Sequence, residues 1–317
     1  MQRQVLSNGD VSLSILNLGC ITQDWQVPLG RRHVPVVLGY QNPQDYLNNP
    51  CYLGAIVGRV ANRISRASFD LGGQHYRLPA NDGTNCLHGG LKGIGARLWD
   101  ISADGNRVVQ LTLTSEDGDQ GFPGRVQFEV TISLEGHTVT YDMRARVDRP
   151  TPINLAQHSY YNLMGSGAVS EHILQLPARQ ISVTDCAQAA TGETREVTGS
   201  RFDFTQAQAL AKADPKAKGY DHNYILPPEA AFAAKVTAPN GLRLLLETDQ
   251  PCLQVYTATH LQKCHVPLPG QVHHRYGGLC LEAQGYPNAP NLSSAPSILA
   301  TPERPYHHQQ RVTICAS

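Results

Sequence analysis

The sequence predicts an all-β protein, a single large antiparallel β-sandwich with few short helices that takes up the whole chain, residues 1–317. Three observations support this prediction. Segments in which apolar and polar residues alternate recur along the chain, as expected of strands with one packed face. Turn-forming glycines join neighbouring segments into hairpins. Strands do not alternate with helices, and neither a repeat of fixed period nor a composition shift marks a linker.

The N-terminal part of the chain predicts three short strands. Val11–Asn17 alternates apolar and polar residues, and Tyr52–Val57 is a largely apolar run that ends at a glycine. Val34–Leu38 contains Pro35, which cannot donate a backbone hydrogen bond, so this strand is expected at a sheet edge or at a strand start. Gln41–Pro50 is polar and rich in asparagine, which indicates a loop with one helical turn.

Three hairpins follow, each with a candidate strand on either side of a turn. They are Ser68–Leu71 and His75–Leu78 around Gly72-Gly73, Leu98–Ala103 and Arg107–Ser115 around Asp104–Asn106, and Val126–Leu134 and His137–Ala145 around Gly136. In the third hairpin every second residue of both strands is apolar, so each strand is predicted to line one face of a sheet. This alternation is the strongest indication of the fold.

Short strand candidates continue along the rest of the chain. They are Ile173–Leu176, Gln180–Val183, Asn223–Leu226, Ala234–Thr237, Leu242–Thr248, Leu253–Ala258 and Leu279–Gln284. Only Gln206–Lys212 has the pattern of a helix, and it is short. A succession of strands without intervening helices predicts antiparallel pairing.

Composition favours an uncharged small molecule as the partner. The chain has 26 Lys and Arg against 26 Asp and Glu, a formal net charge of zero, and it contains no basic or acidic run. Nothing therefore draws it electrostatically to nucleic acid or to a membrane surface. The N-terminal stretch lacks the pattern of a secretory signal, and no segment is long and apolar enough to span a bilayer. We expect a cytoplasmic protein that acts as a monomer or homodimer.

Several familiar kinds of site are not indicated. The eight cysteines include no C-x-x-C pair and lack the density of a disulfide scaffold, so free thiols are expected. The motifs typical of nucleotide, zinc-protease and esterase sites are missing. The 13 histidines raise the question of a metal. Adjacent histidines on a strand point to opposite faces, however, and no carboxylate and thiol set completes a tetrahedral site, so we expect none.

The first candidate for a functional segment is Asn154–Leu163. This stretch, NLAQHSYYNL, places His158 next to hydroxyl and amide side chains. An imidazole can bind and release a proton near neutral pH, and hydroxyls and amides can hold a polyhydroxylated ligand. A hydrogen-bonded structural histidine is the competing interpretation.

Four further residues admit both a structural and a functional interpretation. His88 is either incidental to a surface loop or, beside two glycines, open to close approach by a ligand. Glu282 lies on one face of a predicted strand whose other face is apolar, and its own face is either solvent or a pocket where it could act as a base. Asp221 either caps a turn or accepts hydrogen bonds from a ligand. Arg63 is either a surface cation or a planar donor to sugar oxygens.

Six motifs, in this order, resemble the aldose 1-epimerases, the family also called galactose mutarotases. They are GRVANRIS, LHGG, NLAQHSYYNL, GYDHNY, LQVYT and LCLEAQGYPNAPN, spread from Gly58 to Asn291. The resemblance implies a galactose mutarotase-like supersandwich that binds a free hexose on its concave face, with no metal or organic cofactor. It also implies interconversion of the α and β anomers of hexoses such as galactose and glucose.

The matching motifs imply roles for nine residues. His158 would be the general acid and Glu282 the general base. The residues in contact with the sugar would be Asn62, Arg63, His88, Ser159, Tyr160, Asp221 and Gln254. Whether Tyr160 or Tyr161 stacks on the sugar stays open. Gln157, Tyr161 and residues 257–260 differ from the family's usual motif, which bears on the choice of sugar.

The chemistry of the reaction fits these two groups. Anomer interconversion takes a proton from the anomeric hydroxyl and gives one to the ring oxygen; the ring then opens, rotates and closes again. We expect the two proton carriers on opposite sides of the ring, and we expect ionised Glu282 or Asp221 to help His158 hold its proton. The alternatives are a non-catalytic monosaccharide-binding protein and a sugar-phosphate epimerase on the same scaffold. The latter requires a cluster of cations, and Arg63 is the only one expected in the pocket.

Overall fold

The structure, a computed structural model, describes residues 1–316 and consists mainly of β-strands. In chain order the strands are β1 (Arg3–Ser7), β2 (Ser12–Leu16), β3 (Ile21–Leu29), β4 (Arg32–Pro35), β5 (Ile56–Val57), β6 (Arg63–Ile64), β7 (Ser68–Leu71), β8 (Gln74–Arg77), β9 (Cys86–Leu87), β10 (Asp100–Asp104), β11 (Val108–Ser115), β12 (Val126–Glu135), β13 (Thr138–Val147), β14 (Thr151–Pro152), β15 (Ala156–Gln157), β16 (Tyr160–Tyr161), β17 (Ile173–Gln175), β18 (Gln180–Thr184), β19 (Ala190–Glu196), β20 (Gln208–Ala209), β21 (Asp221–Ile225), β22 (Ala234–Thr237), β23 (Leu242–Thr248), β24 (Cys252–Tyr256), β25 (Leu279–Gln284), β26 (Leu299–Ala300) and β27 (Tyr306–Ala316).

Helices are few and short, as the sequence predicts. The α-helix α1 (Leu210–Ala213) has a single turn. Short 3-10 helices occupy Pro43–Asn48, Ser65–Ala67, Ile94–Ala96, Asp119–Gly121, Val169–Glu171 and Ala289–Asn291. Within residues 1–316 we find no helix with the length and apolar character needed to cross a membrane.

Two large antiparallel sheets organise the strands. The nine-stranded sheet has the order β10-β11-β12-β13-β27-β23-β22-β17-β20, and the six-stranded sheet has the order β16-β25-β24-β21-β18-β19. Strands β1 to β4 form a four-stranded sheet, and the remaining strands pair in twos. This architecture confirms the predicted all-β fold, and all three predicted hairpins are present.

The largest hydrophobic core draws on both large sheets. Strands β12 and β13 contribute the alternating apolar residues that the sequence marks, among them Val130 and Tyr141, and all of them are buried. The six-stranded sheet contributes residues such as Leu253 and Leu281 to the same cluster. Burial of these side chains is the main favourable contribution to folding, and it holds the six-stranded sheet in place from one side.

Strand β25 is buried along both faces. Leu279, Leu281 and Ala283 join the core, whereas Cys280 and Glu282 lie on the opposite face and are buried as well. The open question of whether Glu282 faces solvent is thereby answered, since its side chain lies inside the protein.

The sequence pattern fails at three places for identifiable reasons. The predicted helix Gln206–Lys212 is wrong in its first part, because Gln208–Ala209 pairs with β17 as a strand. Only the end of the predicted strand Tyr52–Val57, namely β5, is a strand. The longest strand, β27, is missed because its inward-facing residues include His308 and Gln310, which are polar yet fully buried.

Arg59, a buried residue in the segment between β5 and β6, binds the end of β11 and the segment that connects β11 to β12. The Arg59 guanidinium donates hydrogen bonds to the carbonyl oxygens of Ser115, Glu116, Pro123 and Gly124 at 2.8–3.1 Å. It also contacts the Ser115 hydroxyl. Each buried carbonyl needs such a donor, since an unpaired one retains its full desolvation cost.

Replacing Arg59 with Leu should lower the free energy of unfolding by roughly 3 kcal/mol or more, because four carbonyls lose a charged donor at once. Chemical denaturation followed by circular dichroism measures this. The control is Arg146→Leu, an exposed position on β13, for which we expect a change within about 0.5 kcal/mol. Equal stability of the two variants would contradict the structural role of Arg59.

Candidate active site

A cavity of about 390 Å³ brings most of the predicted site residues together. Eight of the nine line it: Asn62, Arg63, His88, His158, Tyr160, Asp221, Gln254 and Glu282. These residues come from sequence positions up to 220 apart (282 minus 62). The cavity is within the size range of small-molecule sites in proteins.

The six-stranded sheet supplies one wall of the cavity. In the register of β21, β24 and β25, Asn223 lies opposite Gln254, and Gln254 lies opposite Glu282. Residues directly opposite in paired strands share a face, and so do residues two apart on one strand. Asp221, Gln254 and Glu282 therefore project to the same side, opposite the hydrophobic core.

His158 and Glu282 are the centre of the site. Nε2 of His158 lies 3.6 Å from Oε1 of Glu282, which is beyond hydrogen-bond distance but close enough for both groups to reach one substrate atom or two adjacent ones. The second carboxyl oxygen, Oε2, is buried and has no hydrogen-bond partner among the described residues. A 3.6 Å gap does not admit a pyranose ring, so the expectation that the two groups lie on opposite sides of the ring is wrong.

Burial determines the protonation of this pair. Glu282 is 2% exposed and His158 5% exposed. Burial, with a further contribution from the charge of Asp221, raises the pKa of Glu282 well above its usual range, while Arg63 opposes the shift. Burial lowers the pKa of His158 to about 4. Burial thus disfavours the charged form of both groups. The lowered pKa of His158 runs against the expectation that an ionised carboxylate helps it hold its proton.

His88 is held as a hydrogen-bond donor. The backbone N–H of Asn62 donates to Nδ1 of His88 at 3.2 Å. A neutral imidazole that accepts at Nδ1 carries its proton on Nε2. Burial, together with His158 and Arg63, lowers the pKa of His88 well below its usual range, so the ring stays neutral. His88 can thus present a fixed N–H to a ligand. It lies in the cavity wall and not on an exposed surface loop.

A chain of hydrogen bonds fixes the polar side chains of the wall. Asn62 Nδ2 donates to Gln254 Oε1 at 3.1 Å, and Gln254 Nε2 donates to Asp221 Oδ1 at 2.5 Å. The amide of Gln254 can take only one orientation with these partners. Asp221, at the start of β21, accepts the hydrogen bond at the end of this chain. Its carboxylate is therefore part of the cavity wall, as the functional interpretation requires.

Arg63 is partly buried beside this chain. Its Nε pairs with Asp82 Oδ2 at 2.6 Å, and its side chain is 14% exposed. The ion pair fixes the orientation of the planar guanidinium. Its other N–H groups can then donate hydrogen bonds to oxygen acceptors.

The residues that follow His158 in the sequence differ in whether they reach the cavity. Tyr160 lines the cavity, and its ring stacks on the imidazole of His158 with centroids 5.2 Å apart. Tyr161 packs into the core next to Trp25. Ser159 is not at the cavity: it is buried, and its hydroxyl accepts a 2.6 Å hydrogen bond from Gln157.

Several residues of the site are not found by sequence reasoning. Tyr52 lines the cavity, and its ring lies 4.7 Å from that of His88. Cys51, Tyr256 and Cys264 also line it. No motif marks these side chains because a loop or strand end brings each of them in. Alternation along LQVYT, which puts Tyr256 on the face of Gln254, is the one signal that could have identified a member of this set.

The site has a set of groups that could in principle bind a metal ion. The ligating atoms of His88, His158 and Glu282 lie within 4.8 Å of one another, the one such group found among residues 1–316. Histidines that bind metals ordinarily donate their second ring N–H to an acceptor. Nδ1 of His88 accepts a hydrogen bond instead, so the proton occupies the nitrogen that a metal would need. The arrangement suits a donor to a hydroxyl group better than a metal ligand.

Comparison with known proteins identifies a matching family and similar proteins. A family model described as aldose 1-epimerase matches residues 2–313. The chain is 35% identical over 311 residues to the galactose mutarotase of Sus scrofa, which covers 96% of this chain and 91% of that protein. It is 33% identical over 299 residues to the aldose 1-epimerase of Escherichia coli K12, which covers 90% of this chain and 86% of that protein.

Solved structures share the fold. An aldose epimerase homologue from C. elegans superposes with a TM-score of 0.93 at 24% identity, covering 99% of each chain. A galactose 1-epimerase from Lactobacillus acidophilus superposes with a TM-score of 0.85 at 26% identity, covering 99% of this chain and 94% of that one.

Replacing Asp221 with Asn should lower the pKa of Glu282, because the change removes a negative charge that disfavours ionisation of the neighbouring carboxyl. The pKa should stay above the usual range, since burial is the larger cause and remains. Carbon-13 NMR of labelled glutamate carboxyls during a pH titration measures it. Asp45→Asn, outside the cavity wall, is the control and should leave Glu282 unchanged; an unaltered titration in Asp221→Asn would refute the coupling.

Proposed function

This chain belongs to the aldose 1-epimerase family and is a mutarotase, and we propose that His158 and Glu282 carry its reaction as a proton-exchanging pair. The substrate is a free hexose such as galactose or glucose, whose α and β anomers the enzyme interconverts. Glu282 acts as the general base on the anomeric hydroxyl, and His158 acts as the general acid on the ring oxygen.

One observation carries this proposal: the 3.6 Å separation of Nε2 and Oε1 inside a cavity large enough for a sugar. The anomeric hydroxyl oxygen and the ring oxygen are bonded to the same carbon, C1, so the two proton carriers must reach neighbouring atoms. Two groups side by side meet this requirement, whereas two groups separated by a ring would not. Positioning of this kind is a large part of general acid–base catalysis.

The proposed steps conserve protons. Glu282 takes the proton of the anomeric hydroxyl as the bond between C1 and the ring oxygen breaks, and His158 gives a proton to that oxygen. The product is the open-chain aldehyde. Rotation about the C1–C2 bond exposes the other carbonyl face, and closure reverses both transfers. The pair ends with the number of protons it had at the start.

The neutral resting state is compatible with these roles. A neutral carboxylic acid and a neutral imidazole together hold the same number of protons as a carboxylate and an imidazolium. Sugar hydroxyls in the cavity would donate to the carboxyl group of Glu282, which lines the cavity. Hydrogen bonds to a carboxylate favour its ionised form, so substrate binding would move the shared proton to His158.

The polar wall supports an uncharged sugar as the substrate. His88 offers a fixed N–H, and the Asn62–Gln254–Asp221 chain offers oriented amide and carboxylate groups. Tyr160 stacks on His158, and its hydroxyl, which donates to the Cys51 carbonyl, can still accept a hydrogen bond. Arg63 is the one Lys or Arg among the residues that line the cavity, and it is paired with Asp82. A sugar phosphate would need further cations, so the wall favours a neutral hexose.

The thiols support the cytoplasm as the place of action. All eight cysteines are free, and Cys186 and Cys264 are exposed. Exposed free thiols persist in a reducing compartment. We retain a monomer or homodimer as the proposed assembly and a single domain as the proposed organisation of the chain.

Polarimetry of freshly dissolved α-D-galactose or α-D-glucose should show that the enzyme speeds the approach to anomeric equilibrium above the buffer rate. His158→Ala and Glu282→Gln should each lose a factor of roughly 10² to 10⁴ in kcat, the usual contribution of a positioned proton carrier. His75→Ala and Glu135→Gln, exposed residues far from the cavity wall, are the matched controls. Near-full activity of either site variant, with circular dichroism showing a folded protein, would rule out that residue's role.

The pH dependence of kcat/KM should show a plateau with two limbs. Below pH about 4 both His158 and Glu282 are protonated and no base remains, so the rate should fall. Above the raised pKa of Glu282 the pair loses its shared proton and no acid remains, so the rate should fall again. Polarimetric rates, corrected for hydroxide and buffer catalysis, test this. A single acid limb near the ordinary histidine pKa of about 6.5 would contradict it.

A further inference from the structure

We propose that Cys280 is a positioning residue that holds the imidazole of His158 with its proton on Nδ1, so that Nε2 presents a lone pair to Glu282. The inference rests on the proposed function of His158 as a proton carrier, and it adds a residue that acts through His158 rather than on the sugar.

The contact is direct and enclosed. Sγ of Cys280 lies 3.7 Å from Nδ1 of His158, within the range of hydrogen bonds to sulfur. Cys280 is fully buried. It lies opposite Tyr160 in the pairing of β16 with β25, and the Tyr160 ring stacks on the imidazole. The thiol therefore meets the edge of the imidazole while the tyrosine covers its face.

The two ring nitrogens of His158 have different surroundings. Nδ1 faces Cys280, and Nε2 faces Glu282 at 3.6 Å. The thiol sulfur is the acceptor that a proton on Nδ1 would meet. A proton on Nε2 would instead face the carboxylic acid of Glu282 and leave His158 unable to accept that group's proton.

A thiol is well suited to this role. Burial raises the pKa of Cys280 well above its usual range, so the group stays uncharged beside Glu282. Sulfur is a weak acceptor, and it orients the ring without stabilising the imidazolium as a carboxylate would. His158 then remains a neutral ring at rest, ready to receive the proton that Glu282 holds.

The contrast with His88 supports the assignment. Nδ1 of His88 accepts a hydrogen bond from the Asn62 N–H, which places its proton on Nε2. The rings of His88 and His158 are 5.3 Å apart in the same cavity. The structure thus assigns opposite tautomers to the two neighbours: His88 presents a hydrogen-bond donor, and His158 presents a proton acceptor. The bond made by the other ring nitrogen sets each tautomer.

Nitrogen-15 NMR of histidine-labelled protein without sugar tests the tautomer. The spectrum of His158→Ala identifies the signals of His158 among those of the 13 histidines. We expect the wild-type protein to show the proton on Nδ1. In Cys280→Ala we expect the ratio of the two tautomers to shift roughly fivefold to tenfold toward the form protonated on Nε2, as loss of one hydrogen bond predicts. We expect kcat to fall in proportion to the lost fraction of the tautomer protonated on Nδ1, with KM little changed.

Cys252→Ala is the matched control, since Cys252 is a fully buried cysteine on the neighbouring strand β24 and does not contact His158. It should keep the wild-type tautomer and a kcat within about twofold of wild type. The inference is overturned if wild-type His158 carries its proton on Nε2, a result that needs no variant to fold. It is also overturned if Cys280→Ala leaves the tautomer unchanged.

The tautomer measurement separates this inference from the proposed function. If His158→Ala retained full activity, the role of His158 as an acid would fail while the spectrum still reported how its ring is held. If His158→Ala were inactive but the wild-type ring carried its proton on Nε2, the proposed function would stand and the role of Cys280 would fail.

Discussion

The site depends on the burial of a carboxyl group and an imidazole next to each other. In water these groups would ionise independently, but in the cavity burial disfavours the charged form of each and so favours a neutral pair. One transferable proton is then shared between Glu282 and His158. Catalysis by such a pair does not require a stored charge. It requires that binding of the sugar restore, by its hydroxyl groups, the hydrogen bonds that burial removed.

The polar residues around this pair are fixed before any ligand arrives. Backbone and side-chain hydrogen bonds orient Asn62, Gln254, Asp221 and His88, and most of these bonds join distant parts of the chain. A neutral polyol offers no charge to be captured, so recognition depends on donors and acceptors at set positions. Preorganisation also means that little conformational freedom is lost on binding.

The core and the site share one strand. On β25 alternate residues enter the hydrophobic core, and of the residues between them Glu282 lines the cavity and Cys280 lies against His158. The packing that stabilises the six-stranded sheet therefore also locates the carboxyl group. The contacts of His158 with Glu282, Cys280 and Tyr160 all come from β25 or from the strand that pairs with it. A site built on paired strands is held more rigidly than one built on loops.

The amino-acid sequence by itself determined the fold class and the hairpins, because alternation is a property of neighbouring residues. The eight residues that the cavity brings together followed from the resemblance of the motifs to those of the aldose 1-epimerases. Alternation also implied that Tyr160 and Tyr161 point to opposite faces, although it could not say which of them would face the sugar. Only the tertiary structure decided that Ser159 lies away from the cavity, that Tyr52 lines it, that Cys280 lies against His158, and that His158 and Glu282 lie side by side. It alone also gave the directions in which burial shifts the pKa values of His158 and Glu282. The reason is physical: burial and electrostatic fields at a residue come from groups remote along the chain, and a strand such as β27, whose inward face carries polar side chains, leaves no hydrophobic period to detect.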